Sequence, residues 1–276
     1  MNRARSRAPK SLAVLALIAI TALLLAGCGD SGSDEPPETQ VKNALAKAAQ
    51  IKSGVAKIEA SISTGGFPGT IKLDGGGPFD TEAEGGAAFQ LEFTVGVAGT
   101  EQQLGLTSVD GKNYVSAGDV AVQQKGDAAT TFEPGQISSF IDSIGDYLSN
   151  VTEGSEAEAD GEKLTTFNAE LDIKKMFEDA KADGSDVAEF SIPGLGTADE
   201  LAKQLSTADL TIGIAEDGMP RLLTIDMPLQ TGQGEGGVRG TLILTKIDQA
   251  VTIEKPANVV DDPSALGAIG QILGAQ

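Results

Sequence analysis

The chain contains no histidine and no tryptophan, and one cysteine, in 276 residues. Without histidine there is no imidazole acid–base catalysis, no Ser-His-Asp or Cys-His nucleophile, and no ordinary histidine-containing zinc site. A single cysteine excludes an intrachain disulfide, so stability must come from a hydrophobic core, which a chain of this length can build. Aromatic residues make up only 4% of the chain, so stacking platforms for sugars or bases are scarce. Basic residues are also few, 20 against 40 acidic, for a formal net charge of −20. Such a surface repels phosphate backbones, which excludes nucleic acid as a partner, and it serves solubility.

What is present starts with the order of the first residues. Arg3, Arg5, Arg7 and Lys10 form a basic start, and Leu12 to Leu25 an apolar run interrupted only by Thr21. The small residues Ala26 and Gly27 then precede Cys28. Basic, apolar and small is the order of a secretory signal, and the apolar part is short for a membrane-spanning helix. The four residues Leu25-Ala26-Gly27-Cys28 resemble the lipobox of bacterial lipoproteins. That resemblance implies removal of residues 1–27 and thioether attachment of diacylglycerol to Cys28, giving an exported protein anchored by lipid to the outer face of the cell membrane. Two or three acyl chains on one residue hold a protein on a bilayer where one chain alone does so only marginally. From Gly29 to Glu38 the chain is too polar to bury a core, so residues 28–38 are expected to be the lipidated cysteine and a flexible tether.

Beyond the tether, the pattern predicts one domain over residues 39–256 and a C-terminal tail over 257–276. Residues 38–53 read as a helix, with Val41, Ala44, Leu45, Ala48 and Ile51 on one face. The period then falls to two. Ala56, Ile58, Ala60 and Ile62 alternate with polar residues, and Phe89, Leu91, Phe93 and Val95 face one way while Gln90, Glu92 and Thr94 face the other. Asp110-Gly111 marks a hairpin turn. The glycine-rich "DGGGP" and "AEGGAA" are expected to be turns or loosely paired edges. Residues 133–151 predict an amphipathic helix with Ile137, Phe140, Ile141, Ile144 and Leu148 in its apolar stripe. "TEGSEAEADGEK" (152–163) reads as an acidic solvated loop, its carboxylates lacking the spacing of a calcium loop.

"KLTTFNAEL" returns to strand, "DIKKMFEDAKA" to helix, and "GTADELAKQL" to a helix with Thr197 and Glu200 placed as a capping box. The last third is again sheet: Leu210, Ile212 and Ile214, a turn at Asp217-Gly218, then "RLLTIDM", "GVRGTLILTKI" and "AVTIEKP". Strands, helices and strands without strict alternation imply an α+β fold, with helices packed on one face of a large antiparallel sheet.

This arrangement, with "VDGKNYVSAG" and "IAEDGMPRLLTI" as its local matches, resembles the LolA-like superfamily, and within it actinobacterial lipoproteins of the LppX/LprG type. The resemblance implies a curved, half-barrel sheet with helices on its concave face around an apolar cavity. It implies too that such a protein binds lipid or glycolipid and carries or presents it between envelope layers, with possible envelope transport partners. It calls for no cofactor, no metal and no catalytic residue. The cavity candidates are Phe89, Leu91, Phe93, Val95, Ile137, Phe140, Ile141, Ile144, Leu148, Leu210, Ile212 and Ile214. Those side chains would equally fill the dry core of a structural or protein-interaction lipoprotein, because apolar alternation builds every half-buried sheet. A hydrolase with paired carboxylates draws no support from composition, since forty acids produce many chance pairs.

Overall fold

The structure, a computed structural model, describes residues 35–63, 70–97, 99–124, 144–182, 191–192, 196–197, 207–231 and 234–262. Cys28, the signal and most of the tether lie outside the described residues. Twelve strands form one open sheet. The N-terminal half is a meander of β1 (Ser53–Ser63), β2 (Thr70–Asp80), β3 (Ala88–Val97), β4 (Thr100–Val109), β5 (Lys112–Ala117) and β6 (Val120–Gln123). The other half comprises β7 (Leu148–Ala159), β8 (Glu162–Leu171), β11 (Ala208–Ile214), β12 (Pro220–Thr231) and β13 (Gly234–Thr245). The halves join where β1 pairs antiparallel with β13, with Ile58 opposite Leu242. The spatial order is β14-β6-β5-β4-β3-β2-β1-β13-β12-β11-β8-β7. Only the two-residue β14 (Val259–Val260) is parallel to its neighbour, β6. A separate hairpin pairs β9 (Ser191–Ile192) with β10 (Gly196–Thr197).

Short turns make this meander. Asp110 and Gly111 have φ of 52° and 67°, and Asp160 and Gly161 have 51° and 80°. Two consecutive positive φ angles suit the right-handed twist of a hairpin, and Asp-Gly tolerates them. At the β11–β12 turn the Asp217 carboxylate accepts the Met219 N–H at 2.8 Å.

Two helices accompany the sheet among the described residues. Helix α1 (Pro37–Ala48) has a proline in its first turn, Glu38 at its positive end and Lys47 at its negative end. Its face of Val41, Ala44, Leu45 and Ala48 is buried in the sheet's main core. Helix α2 (Ile173–Ala182) starts where the Asp172 carboxylate caps the Lys175 N–H at 2.8 Å. Neither helix is long and apolar enough to cross a membrane.

Four sequence expectations change. The acidic stretch 152–163 is not a loop, because Leu148–Ala159 is strand β7 at the sheet's edge. Its Glu153, Glu156 and Glu158 are exposed, and two register shifts interrupt its pairing with β8. Charge and bulges are how an edge strand resists pairing with another molecule. The helix expected to reach residue 151 is replaced at its end by a 3₁₀ turn (Gly145–Tyr147) and the start of β7, so Leu148 is a strand residue. The "DGGGP" stretch is part of β2, between β1 and β3. The "AVTIEKP" segment, expected as strand, forms no ladder. Residues 125–143, with Ile137, Phe140 and Ile141, and residues 198–206 of the expected capping-box helix lie outside the described residues, while Thr197 ends β10.

Candidate functional site: the apolar inner face

Register places one apolar row across ten strands. Phe167 (β8) pairs with Ile212 (β11), which pairs with Leu223 (β12), then Leu242 (β13). Leu242 faces Ile58 (β1), Ile58 faces Gly75 (β2), and Gly75 faces Phe93 (β3). The row ends with Leu104, Ala117 and Val120 on β4 to β6. Side chains two residues apart share a face, so this row defines the sheet's inner side. Phe167, Ile212, Leu242, Ile58, Phe93 and Leu104 in it are all buried.

The adjacent row differs. It runs Ala169, Leu210, Ile225, Gly240, Ala60, Leu73, Val95. Ala169 and Leu210 are buried, but Ile225, Gly240, Ala60, Leu73 and Val95 are only half-buried. Its smallest part is Gly240 beside Ala60, and the Ile225 side chain lies over Gly240, where a Cβ would come within 3.3 Å of its Cγ2. The result is a half-buried apolar lane across the sheet.

Helix α1 sits at the β12–β7 side of this face, and Lys47 Nζ donates to the Asp217 carbonyl at 2.7 Å, fixing the helix end to the β11–β12 turn. The Arg221 guanidinium closes the same corner with ion pairs to Glu162 at 3.0 Å and Asp217 at 2.8 Å. Tyr147 packs against the core and donates to the Asp179 carboxylate at 3.0 Å, joining the 3₁₀ turn to α2.

Of the sequence candidates, Leu91, Phe93, Ile144, Leu210, Ile212 and Ile214 are buried in a single cluster. Phe89, Val95 and Leu148 pack against it half-buried. The lane residues Ala60, Leu73, Ile225 and Gly240 were not among those candidates. Three of them belong to strands whose alternation is readable, but only the pairing of β2, β1, β13 and β12 makes them neighbours.

Charge is kept off this side of β1 to β4. Lys57, Glu59, Lys72, Asp74, Glu92 and Glu101 all occupy the alternate, outer positions. On the outer face a hydrogen bond from Lys57 to Glu59 raises the Lys57 pKa above its ordinary 10.5. Lys42 and Lys52 are raised in the same way by Glu38 and Glu82. The inner side of these four strands carries no titratable group.

No protein-family model and no curated protein matches the chain. Solved structures do. The chain is similar to LprF from Mycobacterium bovis at 14% identity, covering 83% of this chain and 100% of that one, with a TM-score of 0.48. It is similar to the Mycobacterium tuberculosis lipoprotein LppX at 14% identity, 80% and 100% coverage, and a TM-score of 0.36. A putative outer membrane lipoprotein-sorting protein domain from Vibrio parahaemolyticus matches at 8% identity, 86% and 97% coverage, and a TM-score of 0.26. LppX is a lipoprotein.

Proposed function

We propose that the chain is an exported lipoprotein, anchored through Cys28, that binds lipid or glycolipid on its inner face and carries or presents it at the membrane. In this reading the sheet is a half-barrel, with helices lying across its concave side and enclosing the acyl chains. The observation that supports it is the half-buried, uncharged lane through Leu73, Ala60, Gly240 and Ile225. A core that needed no ligand would fill its centre with large side chains, because protein interiors pack without voids. Here the row beside the filled one keeps Leu73, Ala60 and Ile225 only half-buried. The chain's own role is binding and positioning, and no catalytic residue is assigned.

Native mass spectrometry of residues 29–276, purified from membrane-containing lysate and followed by organic extraction, tests the reading. A reproducible mass increment that extracts as phospholipid or glycolipid supports it. A clean apo mass that takes up no added lipid contradicts it, and favours a structural or protein-interaction lipoprotein with a filled core.

A further inference from the structure

The outer face of the N-terminal meander is polar, yet one band of it is buried. Tyr114, Thr107 and Ala121 are 2%, 5% and 2% exposed, whereas Glu92 and Gln103 on the same face are exposed. The buried band lies where the chain crosses after β13. The Asp248 carboxylate accepts the Lys52 N–H at 2.8 Å, the Asp248 N–H donates to the Ser53 carbonyl at 2.8 Å, and Ser53 Oγ donates to the Gln249 carbonyl at 2.7 Å. Further on, the Glu254 N–H donates to Gln90 Oε1 at 3.2 Å, and Lys255 Nζ stands 5.8 Å from the centre of the Tyr114 ring. Finally the Ala121 N–H donates to the Asn258 carbonyl at 2.9 Å, and β14 pairs with β6. The segment is thus fixed on β1, β3, β5 and β6 in turn.

Length decides what such a segment can do. From Gln249 to Val259 is ten peptide steps, a reach of at most about 33–36 Å. Crossing five strand spacings from β1 to β6 takes about 24 Å before any offset along the strands. About 9–12 Å of reach remains to cover the offset along the strands, and residues 251–256 make the crossing without joining a ladder. We propose that residues 248–260 are an outer strap that limits how far β5 and β6 swing from the centre of the sheet. It thereby sets the opening of the inner face between Phe93 and Val122. Its consequence for a bound ligand rests on the proposed function, but the mechanical role does not.

The test is hydrogen exchange on the full-length protein in detergent, comparing the native chain with one carrying a Gly-Ser-Gly-Ser insertion between Ala250 and Val251. Slack in the strap is expected to raise exchange about tenfold or more in the peptide 112–123 while leaving 208–245 unchanged, because sheets open locally in separate units. The double substitution Gln90→Ala with Lys255→Ala keeps the strap's length, removes two of its holds, and is expected to raise exchange less, in the same peptide. If the insertion does not fold, that variant decides by the same criterion. Unchanged exchange at 112–123, or an equal rise in both regions, overturns the strap. Loss of lipid uptake by the unaltered protein would instead overturn the proposed function alone.

Discussion

Gly75 of β2 lies so close to Glu92 of β3 that a Cβ at Gly75 would stand well inside 3.0 Å of the Glu92 carbonyl oxygen. Its neighbours Gly76 and Gly77 have φ of 145° and 156°, a region that side-chain-bearing residues rarely enter. Gly76 approaches the Ala56 carbonyl in the same way on the opposite side, so the middle of β2 is pinched between both neighbours.

Gly75→Ala is therefore expected to cost roughly 1–3 kcal/mol, the range for forcing atoms into a packed site. Gly96→Ala on β3 is the control, because its nearest neighbour would be the Lys72 Cβ at 3.8 Å, an ordinary contact. Urea unfolding of both variants checks this, and equal midpoints would refute the close-approach account.

Ile58 and Ala60 sit two residues apart on β1, the first fully buried in the filled row and the second half-buried in the lane. Ile58→Ala should destabilise by about 2–5 kcal/mol, the usual cost of removing a buried branched side chain. Ala60→Val, adding volume to a half-open lane, should change the unfolding free energy by less than about 1 kcal/mol. A large penalty at both positions would show that the lane is packed shut.

The raised pKa values of Lys42, Lys52 and Lys57 fix the sign of a pH effect. Their contribution is fully present below the ordinary 10.5 and is lost as pH rises through the higher folded values. All three are solvent-exposed pairs, so the effect is small and screened by salt. Replacing all three with glutamine should lower the melting midpoint at pH 8 by less than Ile58→Ala does, and the difference should shrink in 1 M salt. A salt-independent loss would contradict surface pairing.

Much of the fold was legible where a local rule decides the structure. The stripe of Val41, Ala44, Leu45 and Ala48 gave α1, and Asp110-Gly111 and Asp217-Gly218 gave their turns. Strand β7 was hidden because Glu, Ser and Gly dominate it, and those residues signal loop unless the strand lies at an edge. Glycines 75–77 and Pro78 read as punctuation for the same local reason, whereas their cause is the approach of two neighbouring backbones. Phe93 and Ile212 were legible as inward-facing residues from their own strands. The lane was not, because it is built by cross-strand register, Leu73 against Ala60 and Ala60 against Gly240, which no single strand records.

The most direct measurement of the central claim is a titration of residues 29–276 with a fluorescent long-chain acyl probe, beside the variants Ala60→Phe and Gly240→Leu. The account predicts saturable binding by the unaltered domain and at least about a tenfold loss of affinity in both variants, since each adds bulk to the lane and Gly240→Leu displaces the Ile225 side chain over it. Absence of saturable binding, or equal affinity in all three proteins, would contradict it.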